Sequence, residues 1–392
     1  MRDELAYVLI TPYSLLKSRT GGIISRLLLL TDLEFVAARM YWPSDAFVDR
    51  YVETIKHQPL APHHQQLLVG YLNDHFRRGN RLGISNRTFL LLFQGENAVE
   101  KIRNVVGPFD ASFQGDSIRG TYGDYLVGTN GTVEFFEPAV LVGADSETAN
   151  GQLKVLADFS DSDGGIIESA IKPKPGDKPE TTLAIIKPEA FKRRSVRPGN
   201  IIDVFSKTGL YVVGAKLLRM TVAQAEEFYA PLKQIFVERL KAGVERTLAS
   251  RLQGTFAFSV SPEQISQMAD ILKHENAKFE FDKIVEYMTG RSDRTVKSPA
   301  ERTAPGTEKA LALLYRGVDA VNKIRERLGS TDPSKAAEGT VRSEFGYDLM
   351  KNGAHASDSV ESAERERKIV GLWPGGDDSS TRDLIMGYLK GA

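Results

Sequence analysis

Apolar and polar positions follow short strand-like and helix-like periods between residues 182 and 328. Residues 182–186 form an apolar run that ends before Pro188, which predicts a short strand. In residues 200–208, Ile201, Ile202 and Phe205 fall on one helical face, and Gly209 ends the helix. The same reasoning predicts strand 210–219, a helix capped by Thr221, strand 310–315 and helix 318–328.

This β-α-β-α-β order of short elements predicts an α+β fold, with helices packed on an antiparallel sheet as an α/β sandwich. Between the second predicted helix and the third strand, residues 236–252 and 261–274 have helical patterns. Residues 291–307 are polar and predict a loop. We therefore expect a helical insertion at about 234–305, to which the sequence assigns no chemistry.

The chain contains an internal duplication. The run LLFQGENAVEKIR at 91–103 aligns with LLYRGVDAVNKIR at 313–325, and eight of the thirteen positions are identical at an offset of 222. The first predicted strand, 182–186, aligns with residues 6–10 at an offset of 176. The second copy has therefore gained about 46 residues (222 − 176), and a repeat of this length indicates two tandem domains.

The segment between the copies is rich in glycine, proline and charged residues, which bury little apolar area. We interpret 158–180 as a linker. The predicted domains are then a degenerate copy at 1–157 and a second copy at 181–392 that contains the insertion.

Composition and charge argue against several classes of protein. Lysine plus arginine and aspartate plus glutamate both number 51, so net charge gives no case for a nucleic-acid or membrane partner. The apolar stretch 23–42 is interrupted by four charged residues, which disfavours a membrane span. The chain has no cysteine, which excludes thiol chemistry and fits a reducing compartment. We expect a cytoplasmic protein.

Candidate chemistry concentrates in the second copy. His355 lies in a run of small residues, with Asn352 before it and Ser357 and Glu366 after it, all able to orient an imidazole. No glycine-rich phosphate-binding motif is present, so side chains must hold any phosphate. Three cationic residues could do so: Lys187, Arg325 and Arg342. Taken singly, each of these residues also fits a structural role.

Four segments together resemble the nucleoside diphosphate kinase family. They are TLAIIKPEAFKR at 182–193, VNKIRERLGSTDP at 321–333, GTVRSEFG at 339–346 and NGAHASDSVESAERE at 352–366. The last is similar to the family's N-x-x-H-G-S-D signature, although Ala356 replaces the usual glycine and Ser343-Glu344 the usual Gly-Asp. The resemblance covers about 180–375 and implies a ferredoxin-like sheet in each copy.

The resemblance also implies roles for nine residues. His355 is the nucleophile that carries the γ-phosphate of a nucleoside triphosphate to a nucleoside diphosphate in a ping-pong mechanism. Glu366 orients its ring, Ser357 supports its turn, and Lys187 lies beside the transferring phosphate. The expected nucleotide-binding residues are Lys187, Tyr229, Arg325, Thr331, Arg342 and Asn352.

The implied cofactors are ATP or another nucleoside triphosphate as phosphate donor, and Mg²⁺ held by nucleotide phosphates without dedicated protein ligands. The base stacks on an aromatic residue, for which Phe279 and Phe281 are both candidates. Because the family is oligomeric, we expect an intramolecular pseudo-dimer, with further homo-oligomers left open. Two alternatives stay open: a non-catalytic nucleotide-binding scaffold or sensor, and phosphotransfer from the same histidine to a protein.

The first copy has lost the residues that this chemistry needs. Thr11 aligns with Lys187, and Phe109 aligns with Thr331. Val142 aligns best with His355. The sequence therefore predicts a non-catalytic first copy.

Overall fold

A computed structural model of the chain describes residues 3–80, 83–110, 115–292, 295–375 and 378–391. It divides into two compact units, one of Met1–Leu217 with Leu311–Ala392 and one of Leu218–Ala310. The first copy contains β1 (Asp3–Ile10), α1 (Pro12–Leu16), α2 (Thr20–Leu30), β2 (Glu34–Tyr41), α3 (Asp45–Lys56), α4 (Pro62–His75), β3 (Thr88–Glu96), α5 (Ala98–Val106), α6 (Ile118–Tyr122), β4 (Asp124–Val127), β5 (Val133–Glu137), β6 (Val140–Leu141) and α7 (Ser146–Asp158).

The second half contains β7 (Pro179–Ile186), α8 (Arg197–Ser206), β8 (Tyr211–Leu218), α9 (Val222–Tyr229), α10 (Pro231–Leu252), α11 (Pro262–Thr289), α12 (Pro299–Thr303), β9 (Ala310–Val318), α13 (Ala320–Leu328), α14 (Val341–Phe345), β10 (Ala354–Ala356), α15 (Val360–Ile369) and α16 (Ser380–Gly391). Short 3₁₀ turns cover Glu168–Ala170, Pro188–Ala190 and Pro333–Lys335. Among the described residues, no helix is long and apolar enough to cross a membrane.

Each copy contains a four-stranded sheet with the same strand order. The strand orders are β6-β1-β3-β2 in the first sheet and β10-β7-β9-β8 in the second. If the four strands of each sheet are numbered in chain order, leaving out the separate hairpin β4–β5, both orders are 4-1-3-2. β1 and β7 each pair antiparallel with both neighbouring strands. This order is that of the ferredoxin-like α/β sandwich, so the predicted fold class is confirmed.

Backbone detail repeats between the copies as well. Asn97 and Asp319, which are 222 positions apart, precede α5 and α13 in the same left-handed conformation, with φ of 53° and 57°. Thr11 N donates to Ala139 O in the first copy, and Lys187 N donates to Gly353 O in the second. Ala139 and Gly353 both have positive φ. The duplication found in sequence is therefore also a duplication of conformation.

The two copies contact each other within the first unit through helices α2 and α8. Gly21 and Gly199 lie where these helices cross, and a Cβ on Gly199 would be only 2.0 Å from the carbonyl oxygen of Gly21. Ser25 Oγ donates to Val196 O at 2.9 Å across the same contact. The close approach depends on the absence of side chains at the two glycines.

The segment between the copies is bonded to both sheets. Gly165 N donates to Met40 O on β2, and Ile167 N donates to Val213 O on β8. The side chain of Ile167 is buried. The boundaries 158–180 and the linker role stay a prediction.

Helix α16 ends the chain against the first copy. It packs on α7 and β2, and Ile385 is fully buried in the first copy's core with Tyr7, Tyr51 and Leu153. The first copy therefore supplies core for the last helix of the second half.

The second unit is helical, and α10 packs along α11. Thr221 caps α9 as predicted, in a capping box with Gln224. The predicted loop at 291–307 is partly wrong, because Ser298 and Glu301 form a capping box that starts α12. The insertion at about 234–305 lies within this unit, and its boundaries stay a prediction.

Candidate active site

His355 lies on the short edge strand β10, opposite Ile185 of β7. The chain leaves the strand at Ser357, whose backbone N–H donates to Leu183 O. Ser359 then caps α15 by accepting a hydrogen bond from the Ser362 N–H. This strand-to-helix turn places α15 beside the strand, so that a residue two turns along the helix can reach back to the imidazole.

Glu366 is that residue. Its Oε2 lies 2.8 Å from His355 Nε2 and also accepts a 2.8 Å hydrogen bond from Ser357 Oγ. The Glu366 side chain is 7% exposed and that of His355 is 21% exposed, so the carboxylate is enclosed while the ring reaches solvent. Because a carboxylate can only accept, a neutral His355 ring carries its hydrogen on Nε2 and keeps its lone pair on Nδ1.

Lys187 directly follows β7 and is buried. Its Nζ donates to Met350 O at 2.8 Å and to Asn352 Oδ1 at 2.7 Å. The pKa of Lys187 is lowered to about 8, mainly by burial and also by the charge of Arg342, while the charges of Glu189 and Asp348 act in the opposite direction. Lys187 is therefore still mainly a cation at neutral pH.

Arg342, Thr331 and Asn352 form one hydrogen-bonded group. Arg342 Nη1 donates to Gly329 O at 3.0 Å and to Thr331 Oγ1 at 3.3 Å. Asn352 Nδ2 donates to Thr331 O at 3.0 Å. Since Asn352 also accepts from Lys187, its amide joins the lysine to the loop that carries Thr331.

Arg325 lies in the last turn of α13. Burial and, to a smaller extent, the charge of Arg325 together lower the pKa of Arg342 to about 10. The positive charge of Arg325 disfavours the charged form of Arg342, and an anion beside Arg342 would relieve that repulsion. The arrangement is therefore suited to phosphate.

Eight of the nine predicted residues belong to the first unit: Lys187, Arg325, Thr331, Arg342, Asn352, His355, Ser357 and Glu366. Hydrogen bonds link Lys187, Asn352, Thr331 and Arg342 in one network and His355, Ser357 and Glu366 in another. Their catalytic and binding roles stay predictions.

Tyr229 belongs to the second unit, where its ring meets the edge of Phe228 at 5.0 Å. Phe281 is buried in that unit at 2% exposure, whereas Phe279 is 44% exposed. The assignment of Tyr229 to nucleotide binding and the choice between the two phenylalanines stay open.

Sequence reasoning missed Glu189. Its Oε1 accepts a 2.8 Å hydrogen bond from Gly353 N, two residues before His355, and its charge raises the pKa of Lys187 against the effect of burial. An acid directly after Lys187-Pro188 was the available signal. Arg365 was also missed, and its Nη2 lies 3.5 Å from Glu366 Oε1.

Ala356, which stands where a glycine is usual, is accommodated without strain. It pairs with Ala184 as part of β10, and it is not among the residues with positive φ. Glu344, the longer acid after Arg342, accepts a 3.2 Å hydrogen bond from Gly339 N. Neither departure disrupts the hydrogen bonds around His355.

In the first copy, other residues stand in the positions of His355 and Lys187. The predicted match of Val142 with His355 is wrong by one residue, because β6 pairs Leu141 with Leu9 as β10 pairs His355 with Ile185. Thr11, in place of Lys187, donates to a buried carboxylate, Glu137, at 2.7 Å. Burial raises the pKa of Glu137 to about 7.

An extra hairpin, β4–β5, also changes the first copy. It contributes Phe136, whose ring centroid lies 5.7 Å from that of Phe109. The guanidinium of Arg119 lies over the same Phe109 ring, 3.8 Å from its centroid. Arg119 donates to Gly107 O as Arg342 donates to Gly329 O, so the two arginines correspond. The cation of Arg119 therefore faces an aromatic ring where Arg342 contacts the hydroxyl of Thr331.

The family model that matches this chain is that of nucleoside diphosphate kinase, over residues 180–247 and 257–370. A nucleoside diphosphate kinase of Pasteurella multocida is 32% identical over 187 residues, which are 48% of this chain and 90% of that protein. The chain belongs to the nucleoside diphosphate kinase family. A second family member, from Bdellovibrio bacteriovorus, is 30% identical over 48% of this chain and 89% of its own length.

Solved structures of the family are similar to parts of the chain. A nucleoside diphosphate kinase of Aquifex aeolicus is 25% identical with a TM-score of 0.32, over 49% of this chain and 95% of that one. One from Encephalitozoon cuniculi is 26% identical with a TM-score of 0.32, over 53% and 99%.

Proposed function

We propose that this chain is a nucleoside diphosphate kinase that transfers the γ-phosphate of a nucleoside triphosphate to a nucleoside diphosphate through phosphohistidine at His355. The observation that carries the proposal is the 2.8 Å contact between His355 Nε2 and the enclosed Glu366 carboxylate. This contact fixes the tautomer in which Nδ1 is nucleophilic. Lys187, which is buried, and Arg342, which is half-buried, supply charge that phosphate oxygens require.

In the first half-reaction, the Nδ1 lone pair forms a bond to the γ-phosphorus, and the bond from that phosphorus to the bridging oxygen breaks. The nucleoside diphosphate leaves with the bonding electrons. Positive charge then develops on the ring, whose Nε2–H faces Glu366. The carboxylate stabilises that charge without moving a proton.

In the second half-reaction, a terminal oxygen of another nucleoside diphosphate attacks the phosphorus. The N–P bond breaks and its electron pair returns to Nδ1, so one site serves donor and acceptor in turn. Arg342 and Thr331, which share a 3.3 Å hydrogen bond, are proposed to bind phosphate oxygens together with Arg325. Asn352 is proposed to bind the sugar and to hold Lys187.

A divalent cation fits this site only as part of the nucleotide. Among the described residues, no group of three or more His, Asp or Glu side chains could hold a metal ion. The residues proposed to bind phosphate include three cations, Lys187, Arg325 and Arg342, so Mg²⁺ would be held by the phosphates of the nucleotide and would neutralise part of their charge.

The first copy is proposed to be a non-catalytic pseudo-dimer partner. Leu141, Thr11 and Phe109 occupy the places of His355, Lys187 and Thr331, so the nucleophile, one cation and one hydroxyl are missing. The crossing of α2 and α8 supports the pairing of the copies. The lack of cysteine supports a cytoplasmic location.

The test is labelling with γ-³²P-ATP and Mg²⁺, followed by addition of CDP. We expect an acid-labile label on the wild-type chain, its discharge to CTP by CDP, and no label on His355→Asn. Absence of label would favour the scaffold alternative. A label that no nucleoside diphosphate discharges would favour transfer to a protein.

A further inference from the structure

The segment between the two copies carries a charged residue that reaches the helix of Glu366. Glu168 lies in the 3₁₀ turn Glu168–Ala170. Its Oε1 accepts a 2.7 Å hydrogen bond from Arg367 Nη2, and its Oε2 lies 3.4 Å from Arg316 Nη1 on β9. One carboxylate thus joins α15 to the sheet of the second copy.

Arg367 is directly after Glu366 in the chain and is deeply enclosed. Its side chain is 7% exposed, and its Nε donates to Leu372 O at 3.2 Å. Its ion pair with Glu168 compensates a guanidinium that is otherwise removed from water. The pair therefore fixes Arg367 in one position against the segment between the copies.

Glu168 is itself held on both sides. The preceding residue, Ile167, is buried and bonds through its backbone N–H to Val213 on β8. Arg316, the second partner of Glu168, also donates to Thr181 Oγ1 at 2.9 Å. The anchor for Arg367 is therefore a rigid part of the fold.

We infer that Glu168 is a positioning residue, which fixes the rotation of α15 through Arg367 and so holds Glu366 against His355. Successive helical side chains are about 100° apart around the axis, so fixing Arg367 also fixes the direction of Glu366. At about 5–6 Å from the axis, a rotation of about 10° moves a side-chain end by about 1 Å. Such a displacement would open the 2.8 Å contact of Glu366 with Nε2.

This inference rests on the proposed function only for its kinetic consequence. A 1 Å displacement of a catalytic group costs up to about 100-fold in rate, and we expect roughly tenfold for Glu168→Gln, because Arg367 keeps its bond to Leu372 O. The loss should be in kcat. KM should stay within about twofold, since Glu168 bonds to α15 and β9 and not to the proposed phosphate-binding group.

The direct test is ¹⁵N NMR of the histidine rings in the full chain, with His355 assigned by His355→Gln. We expect Glu168→Gln to move the Nδ1 and Nε2 shifts of His355 toward those of Glu366→Gln. The matched control is Asp161→Asn, which removes an exposed ion pair to Arg382 from the same segment. It should leave both the ring shifts and kcat as in the wild type.

Glu168→Asp keeps the charge with a shorter reach, and we expect it to restore part of the wild-type shift and rate. It also carries the test if Glu168→Gln does not fold, as judged by circular dichroism. Wild-type ring shifts in folded Glu168→Gln, or equal changes in Asp161→Asn, would overturn the inference. If the proposed function failed, no label would form on wild-type His355, but the ring shifts would still report on Glu168.

Discussion

Replacing Glu366 by glutamine tests the charge that faces the nucleophilic ring. Two donors, His355 Nε2 and Ser357 Oγ, approach the same oxygen at 2.8 Å. The glutamine must therefore turn its carbonyl oxygen toward them. Its NH₂ group then takes the place of Oε1, and the hydrogen bonds survive while the negative charge is lost.

The expected magnitude follows from that difference. A hydrogen bond to a charged group contributes about 1.5–3 kcal/mol, and one between neutral groups about 0.5–1.5 kcal/mol. Loss of charge at this enclosed carboxylate should therefore raise the barrier to ring phosphorylation by about 1.5 kcal/mol, which slows the step roughly tenfold. Ser357→Ala leaves the carboxylate charge in place and removes one hydrogen bond that orients it, so it should slow the step by less than Glu366→Gln does.

Rapid-quench single-turnover labelling with γ-³²P-ATP measures this step before product release. We expect slower phosphohistidine formation in Glu366→Gln with an unchanged final extent of labelling at saturating ATP. Unchanged nucleotide affinity would show that the loss is in the chemical step. Wild-type rates in Glu366→Gln would refute the reasoning, because the carboxylate charge would then play no part in stabilising the ring.

Three further predictions concern the lysine, the contact between the copies and the first copy. With the pKa of Lys187 at about 8, kcat/KM should fall as pH rises through about 8, because the free enzyme loses a phosphate-binding charge. The value of kcat should fall only at higher pH, since bound nucleotide favours the protonated amine. A flat kcat/KM profile to pH 9 would contradict this. Gly199→Ala should lower the free energy of unfolding by about 1–3 kcal/mol because its Cβ would meet the backbone of Gly21. The control, Gly70→Ala at an exposed helical position, should raise the free energy of unfolding by about 0.5–1 kcal/mol. Denaturant titration compares the two variants, and equal effects would count against the close crossing of α2 and α8. Leu141→His should not add a second phosphohistidine, since the first copy lacks the lysine, so labelling should stay at one per chain; two labels per chain would show that the histidine alone suffices.

Local sequence signals predicted several elements closely. The strand predicted at 182–186 is the buried end of β7, and the helix predicted at 200–208 overlaps α8, which ends two residues earlier. Apolar periodicity and glycine or proline punctuation act within a few residues, so they can be recognised without knowing the rest of the chain. Helix α12, inside the predicted loop 291–307, was missed although its capping residues, Ser298 and Glu301, were present.

The same local signals could not predict contacts between residues that are far apart in the chain. The match of Leu141 with His355 follows only from strand pairing, because β6 is two residues long and the β4–β5 hairpin shifts the alignment before it. Burial of Ile385 in the first copy's core brings together residues more than 200 positions apart, and no local pattern predicts such a partner.

The sequence by itself determined which groups are available: a histidine among small residues, the cations, the acid, and a second copy without a nucleophile. Tertiary structure decided which of them act together. Glu366 faces Nε2 because a strand, a capped turn and a helix fold back on each other, and Asn352 joins Lys187 to Thr331 across the chain. Side-chain chemistry is fixed at each position, whereas distance, burial and pKa depend on neighbours that only the folded chain brings together.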